Sequence, residues 1–235
     1  MDTNPNSIVQ VKDLSFQYPR AHPLFRAINI FLDGPGFYSI FGRSGTGKST
    51  LGKIIAGRLV PRPLVGVSVP RPALYASSED ILPSWLSVSE HLNEFLKGKE
   101  QKSQLEAFLK VADLPEALSA HRPTELSLGQ RQRFNLARYL LREAPCLVLD
   151  EALIGVDQPT RWKILEWIKE HRKSWITILI SHEIEDVALF SQAIVKLSVG
   201  TPAEVTMISG LNLQHVEDPA AIAGYGAIRG ALLAP

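Results

Sequence analysis

Apolar positions along the chain alternate between short continuous runs and runs at helical spacing. Ile8-Val9-Gln10-Val11 is a short apolar run, and Leu24 to Leu32 is another, stopped by the turn signal Asp33-Gly34-Pro35-Gly36. Phe37-Tyr38-Ser39-Ile40-Phe41 predicts a buried strand that runs into a glycine-rich loop. Beyond the loop, Leu51, Ile54 and Ile55 fall at helical spacing, and Gly57 suits the helix end. The four prolines between Pro61 and Pro72 exclude a continuous helix and leave short, irregular strands.

Helical stripes follow at Val88, Leu92, Phe95 and Leu96, then at Leu105, Phe108, Leu109 and Ala112. A third helix is predicted at about Gly129 to Arg142, closed by Ala144-Pro145. Leu147-Val148-Leu149 is a strand ending in Asp150-Glu151; Trp162, Leu165 and Ile168 mark a helix, and Ile176 to Ile180 a buried strand. Strands alternating with helices of this length predict an α/β fold around a mostly parallel sheet. The expected organisation is a single domain over 1–235. The stretch from Pro61 to Leu128 is read as an insertion into the sheet, helical at about 80–128, and about 200–235 as a short C-terminal extension.

Composition narrows this picture. At 45% hydrophobic and 21% charged, the chain can bury a core. The net charge of +1 gives no reason to expect nucleic acid as a partner. The single cysteine, Cys146, excludes an internal disulfide framework and fits a reducing compartment. Residues Met1 to Ser7 do not read as a secretory signal, and no apolar run approaches the roughly 20 residues of a membrane-spanning helix. A soluble chain is expected, with any membrane role exercised through a partner.

Two motifs carry the chemistry. Gly42-Arg43-Ser44-Gly45-Thr46-Gly47-Lys48-Ser49, followed by Thr50, matches the phosphate-loop pattern G-x-x-x-x-G-K-[ST] between a strand and a helix. Its glycines let backbone N–H groups turn inward onto phosphate oxygens, and the helix start adds its positive dipole end. Lys48 can reach the β- and γ-phosphates, and the Ser49 hydroxyl suits a Mg²⁺ ligand. The motif specifies a nucleotide site and no more, since kinases, GTPases and many ATPases share it. Asp150 and Glu151 sit at the end of a buried strand, where α/β folds bind ligands. Asp150 is placed to hold Mg²⁺, and Glu151 to polarise an attacking water; the plainer alternative is two carboxylates in a solvated turn.

Leu126-Ser127-Leu128-Gly129-Gln130, followed by a basic helix, resembles the signature of ABC ATPases, with Leu128 where the family usually has glycine. On the residues alone, Ser127 is equally an ordinary helix N-cap. The chain comes into register with that family from about Ile8 to Val199. The resemblance implies a P-loop NTPase fold of the ABC type, a mostly parallel central sheet with an N-terminal antiparallel β portion and a helical insertion, with ATP and Mg²⁺ bound and ATP hydrolysed. It implies an adenine platform at Tyr18, a γ-phosphate contact at His182, and a partner-facing loop at Asp157. It further implies a head-to-tail dimer, with a second copy or a related chain, in which Ser127 and Gly129 meet the nucleotide of the other subunit. The expected setting is peripheral, at the cytoplasmic face of a membrane, with a transmembrane permease and, in an importer, a solute-binding protein.

Ile81-Leu82-Pro83-Ser84-Trp85-Leu86-Ser87-Val88 and the stretch Val195 to Pro202 are similar to segments of the nitrate, sulfonate and taurine importers. The match breaks between the phosphate loop and the signature. There the family's glutamine is replaced by Ser77 or Ser78, depending on how the segment is counted. That leaves two rival readings, a regulatory ABC subunit with little turnover and a non-transport ABC ATPase.

Overall fold

A computed structural model describes residues 8–61, 66–80, 82–200, 202–216 and 222–234. The described backbone gathers into two compact units. One comprises the chain up to Tyr75, Ala144–Asp150 and the chain from Arg172 on; the other comprises Ala76–Glu143 and Glu151–His171.

In the first unit, β1 (Val9–Gln17) pairs antiparallel with β2 (Pro23–Leu32) and β4 (Gly66–Ser68). Alternation along β1 and β2 turns Val9, Val11, Leu14, Phe25, Ile30 and Leu32 inward, as a half-buried strand requires. Of the expected strands between Pro61 and Pro72, only β4 lies there among the described residues; 62–65 fall outside them, as do Met1–Ser7, Ile81 and Thr201.

The second sheet has the order β5 (Ala73–Ser77), β6 (Cys146–Asp150), β7 (Ile176–Ile180), β3 (Gly36–Gly42), β8 (Ala193–Leu197), β9 (Val205–Ser209). Strands β6, β7, β3 and β8 are parallel, and β9 is antiparallel to β8. Residues of β6 and β7 are buried throughout, which is why both read as continuous apolar runs. The register pairs Ile180 with Ile40 on one side and with Asp150 on the other, so β3, β6 and β7 end at one sheet edge. Helix α1 (Lys48–Ile55) buries Leu51, Ile54 and Ile55 in a core shared with Ile40, Val148, Ile178 and Ile180. Fully burying each such side chain contributes about 1.5–3 kcal/mol.

The second unit holds α2 (Val88–Asn93), α3 (Lys99–Val111), α4 (Leu128–Leu140) and α5 (Gln158–His171). Phe108 of α3 meets Trp167 of α5 edge-on, with ring centroids 5.2 Å apart. Helix α2 is shorter than its apolar stripe suggests. Phe95 lies past its end and is covered by the Arg142 guanidinium, 4.6 Å from the ring centre. Back in the first unit, α6 (Ile184–Phe190) and α7 (Tyr225–Leu233) complete the chain, and the extension expected at about 200–235 contains β9 and α7. Among the described residues, no helix is long and apolar enough to cross a membrane.

Candidate nucleotide site

The chain leaves β3 at Gly42, turns through residues 43–47 and enters α1 at Lys48. Gly47 is the N-cap, in the left-handed region at φ 97°. A Cβ there would lie 2.8 Å from Phe25 Cζ, so both conformation and space demand glycine. No side chain caps α1 and no acidic residue occupies its first turn, which leaves its N–H groups and positive dipole end to an anion. The Arg43 carbonyl gathers three donors, Thr46 N–H (3.3 Å), Thr46 Oγ1 (2.8 Å) and Lys48 Nζ (3.0 Å). The loop is thus closed on itself with the buried Lys48 ammonium over it, while Arg43, Ser44, Gly45 and Ser49 are exposed.

Tyr18 is tied to this loop. Its hydroxyl lies 3.0 Å from Thr50 Oγ1, and its ring meets Phe16 edge-on at 4.9 Å. With 43% of its surface exposed, the ring offers a fixed platform for stacking.

Asp150 closes β6 and is 5% exposed. The Tyr75 hydroxyl donates to its Oδ2, while Oδ1 is buried and has no hydrogen-bond partner among the described residues. A buried carboxylate with one unsatisfied oxygen is costly. A hard cation with oxygen ligands satisfies it, so Asp150 and the Ser49 hydroxyl fit Mg²⁺. Glu151 follows at φ 50°, a left-handed conformation that costs about 1–3 kcal/mol outside glycine and is concentrated at functional sites. His182 follows β7 at the same edge, its side chain 59% exposed and its Nε2 3.5 Å from Glu183 Oε1. Within the first unit, residues 42–50, Asp150 and His182 therefore lie at one sheet edge, and Tyr18 of the other sheet is joined to it through Thr50.

In the second unit, Ser127 is the N-cap of α4, in a capping box with Gln130. Its oxygen accepts from Gln130 N–H at 3.3 Å, and as a hydroxyl it also carries a proton it can donate. Gly129 is demanded by packing, because a Cβ there would lie 2.8 Å from the Gly155 carbonyl oxygen. That carbonyl belongs to the loop leading to Asp157, whose Oδ1 accepts Thr160 N–H at 3.0 Å at the start of α5. The Thr160 N–H, with help from the Arg133 charge, holds the Asp157 carboxyl below its usual range. Leu128 is 52% exposed.

The serines standing where glutamine is expected are engaged locally. Ser77 is buried and its Oγ accepts Glu79 N–H at 3.1 Å; the Ser78 carbonyl accepts Gln132 Nε2 at 2.8 Å. Asp80 receives Ser77 N–H (3.0 Å) and the Tyr139 hydroxyl (2.5 Å), which fastens the loop to α4. Burial and the Asp80 carboxylate push the Tyr139 hydroxyl pKa up. Trp85 stands out 73% exposed, beside Pro83, whose carbonyl lies 2.8 Å from His91 Nε2. Sequence reasoning missed Tyr75, Asp80 and Tyr139. The only signal was a tyrosine in an otherwise apolar strand, which needs a partner for its hydroxyl.

The ABC transporter family profile matches residues 27–154. An aliphatic sulfonates import ATP-binding protein from Streptomyces avermitilis is 34% identical over 196 residues, covering 81% of this chain and 74% of that protein. An energy-coupling factor transporter ATP-binding protein from Caldanaerobacter subterraneus is 30% identical, covering 84% of this chain and 80% of its own length. A solved dimeric bacterial ABC transporter cassette superposes with a TM-score of 0.69 at 24% identity, over 81% of this chain and 94% of that one, which speaks to the fold.

Proposed function

The chain belongs to the family of ABC transporter ATP-binding subunits, and from that premise we propose how its residues bind ATP and hydrolyse it to power transport. The α1 N-terminus and Lys48 hold the phosphates, and adenine stacks on Tyr18. Asp150 and Ser49 hold Mg²⁺, which when bound neutralises charge developing on the phosphoryl oxygens. Glu151 polarises the attacking water, and His182 contacts the γ-phosphate. Ser127 and Gly129 of a second copy, or of a related chain, donate to the same nucleotide in a head-to-tail dimer, with Asp157 facing across it. ATP thus bridges the pair, and hydrolysis removes the bridge.

The observation that carries this reading is Asp150 Oδ1, without a hydrogen-bond partner among the described residues and buried at the edge where the phosphate loop begins. Work is delivered to a separate permease that docks on the loop from Ser77 to Leu86, around the exposed Trp85. The chain then sits peripherally at the cytoplasmic face of a membrane and serves import of a small solute delivered by a solute-binding protein. A low-turnover regulatory role is the second reading, favoured by the local engagement of Ser77 and Ser78. The deciding measurement is Mg²⁺-dependent ATP hydrolysis by the purified chain beside Glu151→Gln. Turnover lost in the variant is expected. Tight ATP binding with equal, near-zero release from both proteins refutes the assignment of Glu151 and supports the regulatory role.

A further inference from the structure

The tail beyond β8 lies outside the family match at 27–154, and nothing in the nucleotide chemistry above uses it. Its contacts converge on α6, a seven-residue helix that begins two positions after His182. A helix this short does not stand alone, and no side chain caps its N-terminus. The tail completes its far end. Leu211 N–H donates to the Ala188 carbonyl (2.9 Å), Leu213 to Leu189 (2.8 Å), Asn212 to Ser191 (3.0 Å) and Gly210 to Gln192 (3.2 Å). These satisfy carbonyls that a helix end otherwise leaves open.

Helix α7 then covers α6. Leu232, 3% exposed, packs in a cluster with Val187, Ala188 and Ile194, flanked by Ile228 and Tyr225. At one end of α7 the Tyr225 hydroxyl donates to Glu185 Oε1 at 3.0 Å. At the other, the buried Lys196 of β8 sends its Nζ to the Ala231 carbonyl (3.1 Å) and the Ala234 carbonyl (2.5 Å). A cation there meets the open carbonyls and negative dipole end of the helix. The tail is therefore fastened to the helix that follows the histidine at Tyr225 and along its length, and to β8 at its far end.

We infer that the C-terminal tail positions His182 for ATP hydrolysis, with Tyr225 and Leu232 as positioning residues acting through α6 and Lys196 securing the far end of α7 to β8. The inference rests on the reading of His182 as a γ-phosphate contact. Its physical basis is that displacing a reacting group by about 1 Å can cost up to about 100-fold in rate, so a helix held from one side sets the rate from a distance.

The test is a double-mutant cycle in the full chain. Leu232→Asp puts a carboxylate into the apolar cluster and releases α7, whereas Tyr225→Phe removes only one hydrogen bond. Each is combined with His182→Ala, and kcat and KM for ATP are measured alongside hydrogen exchange. Leu232→Asp is expected to lower kcat about tenfold with KM changed less than about twofold, Tyr225→Phe by less, and neither further once His182 is alanine. Equal losses in both backgrounds overturn the inference, because a merely structural tail acts whether or not the histidine is present. Full kcat in a Leu232→Asp protein whose α7 amides have lost protection overturns it too. Should Leu232→Asp fail to fold, Tyr225→Phe and Lys196→Met carry the same cycle. A kcat untouched by His182→Ala alone instead removes the role of the histidine itself, and the inference falls with it.

Discussion

Tyr75→Phe probes the support of the buried Asp150 carboxylate. The ring stays in its buried place, and only the hydroxyl that donates to Asp150 Oδ2 is removed. Both residues are 5% exposed, so no solvent replaces the lost donor, and the carboxylate is left with neither oxygen satisfied by that hydroxyl nor its Oδ1 paired. A hydrogen bond to a charged group contributes about 1.5–3 kcal/mol, and about 2 kcal/mol lowers the melting temperature of a chain this size by about 4–8 °C. Calorimetry in EDTA without nucleotide reads this directly. In saturating Mg²⁺ and ATP the deficit shrinks, because the cation takes over the compensation of Asp150. In an Asp150→Asn background the same substitution costs less, since no buried charge remains to be supported. A drop below about 1 °C in EDTA, against that expectation, would refute the claim that Tyr75 sustains a buried carboxylate.

Three further outcomes follow from other parts of the chain. Ser77→Gln, read against Ser78→Gln to settle the register, should raise ATP turnover if the missing amide limits hydrolysis; unchanged turnover in both would clear the serines of blame. Gly129→Ala forces a methyl to 2.8 Å from the Gly155 carbonyl. Overpacking of about 1–3 kcal/mol outweighs the gain of about 1 kcal/mol in helix propensity, so thermal unfolding should show net destabilisation and ATP-driven dimerisation should weaken. Burial pushes the Cys146 thiol up to about 12, so the folded state favours the protonated form. Its contribution to stability is complete below the unfolded value of about 8.5 and is lost as pH rises toward about 12. At pH 8 a thiol reagent should label Cys146 only after denaturation, and rapid labelling of the native protein contradicts this.

The parts of the site that were legible in the sequence are those encoded locally. Strand β3, residues 42–49 and α1 are contiguous, with glycines at the positions where the backbone must curl. β6 and β7 announce themselves as unbroken apolar runs because neither face meets water. Ser127 reads as a cap by residue type alone, and the structure makes it one. Pairs formed through space left no such trace. Nothing near Tyr75 names Asp150 as its acceptor, and nothing near Asp80 points to Tyr139. The tail was opaque for a different reason. β9 is half exposed and lacks an apolar face, and α7 carries Gly226 and Gly230, whose low helix propensity hides a helix held by packing.

The three hydrogen bonds collected by the Arg43 carbonyl have a thermodynamic consequence. Ordering a loop residue on binding costs about 1–2 kcal/mol of conformational entropy, and the segment from Arg43 to Lys48 is already ordered by its own donors. Nucleotide capture should therefore show calorimetrically as docking onto a finished surface, with little ordering penalty. Association can then run close to the encounter rate, while affinity among substituted nucleotides is sorted by how slowly each one leaves.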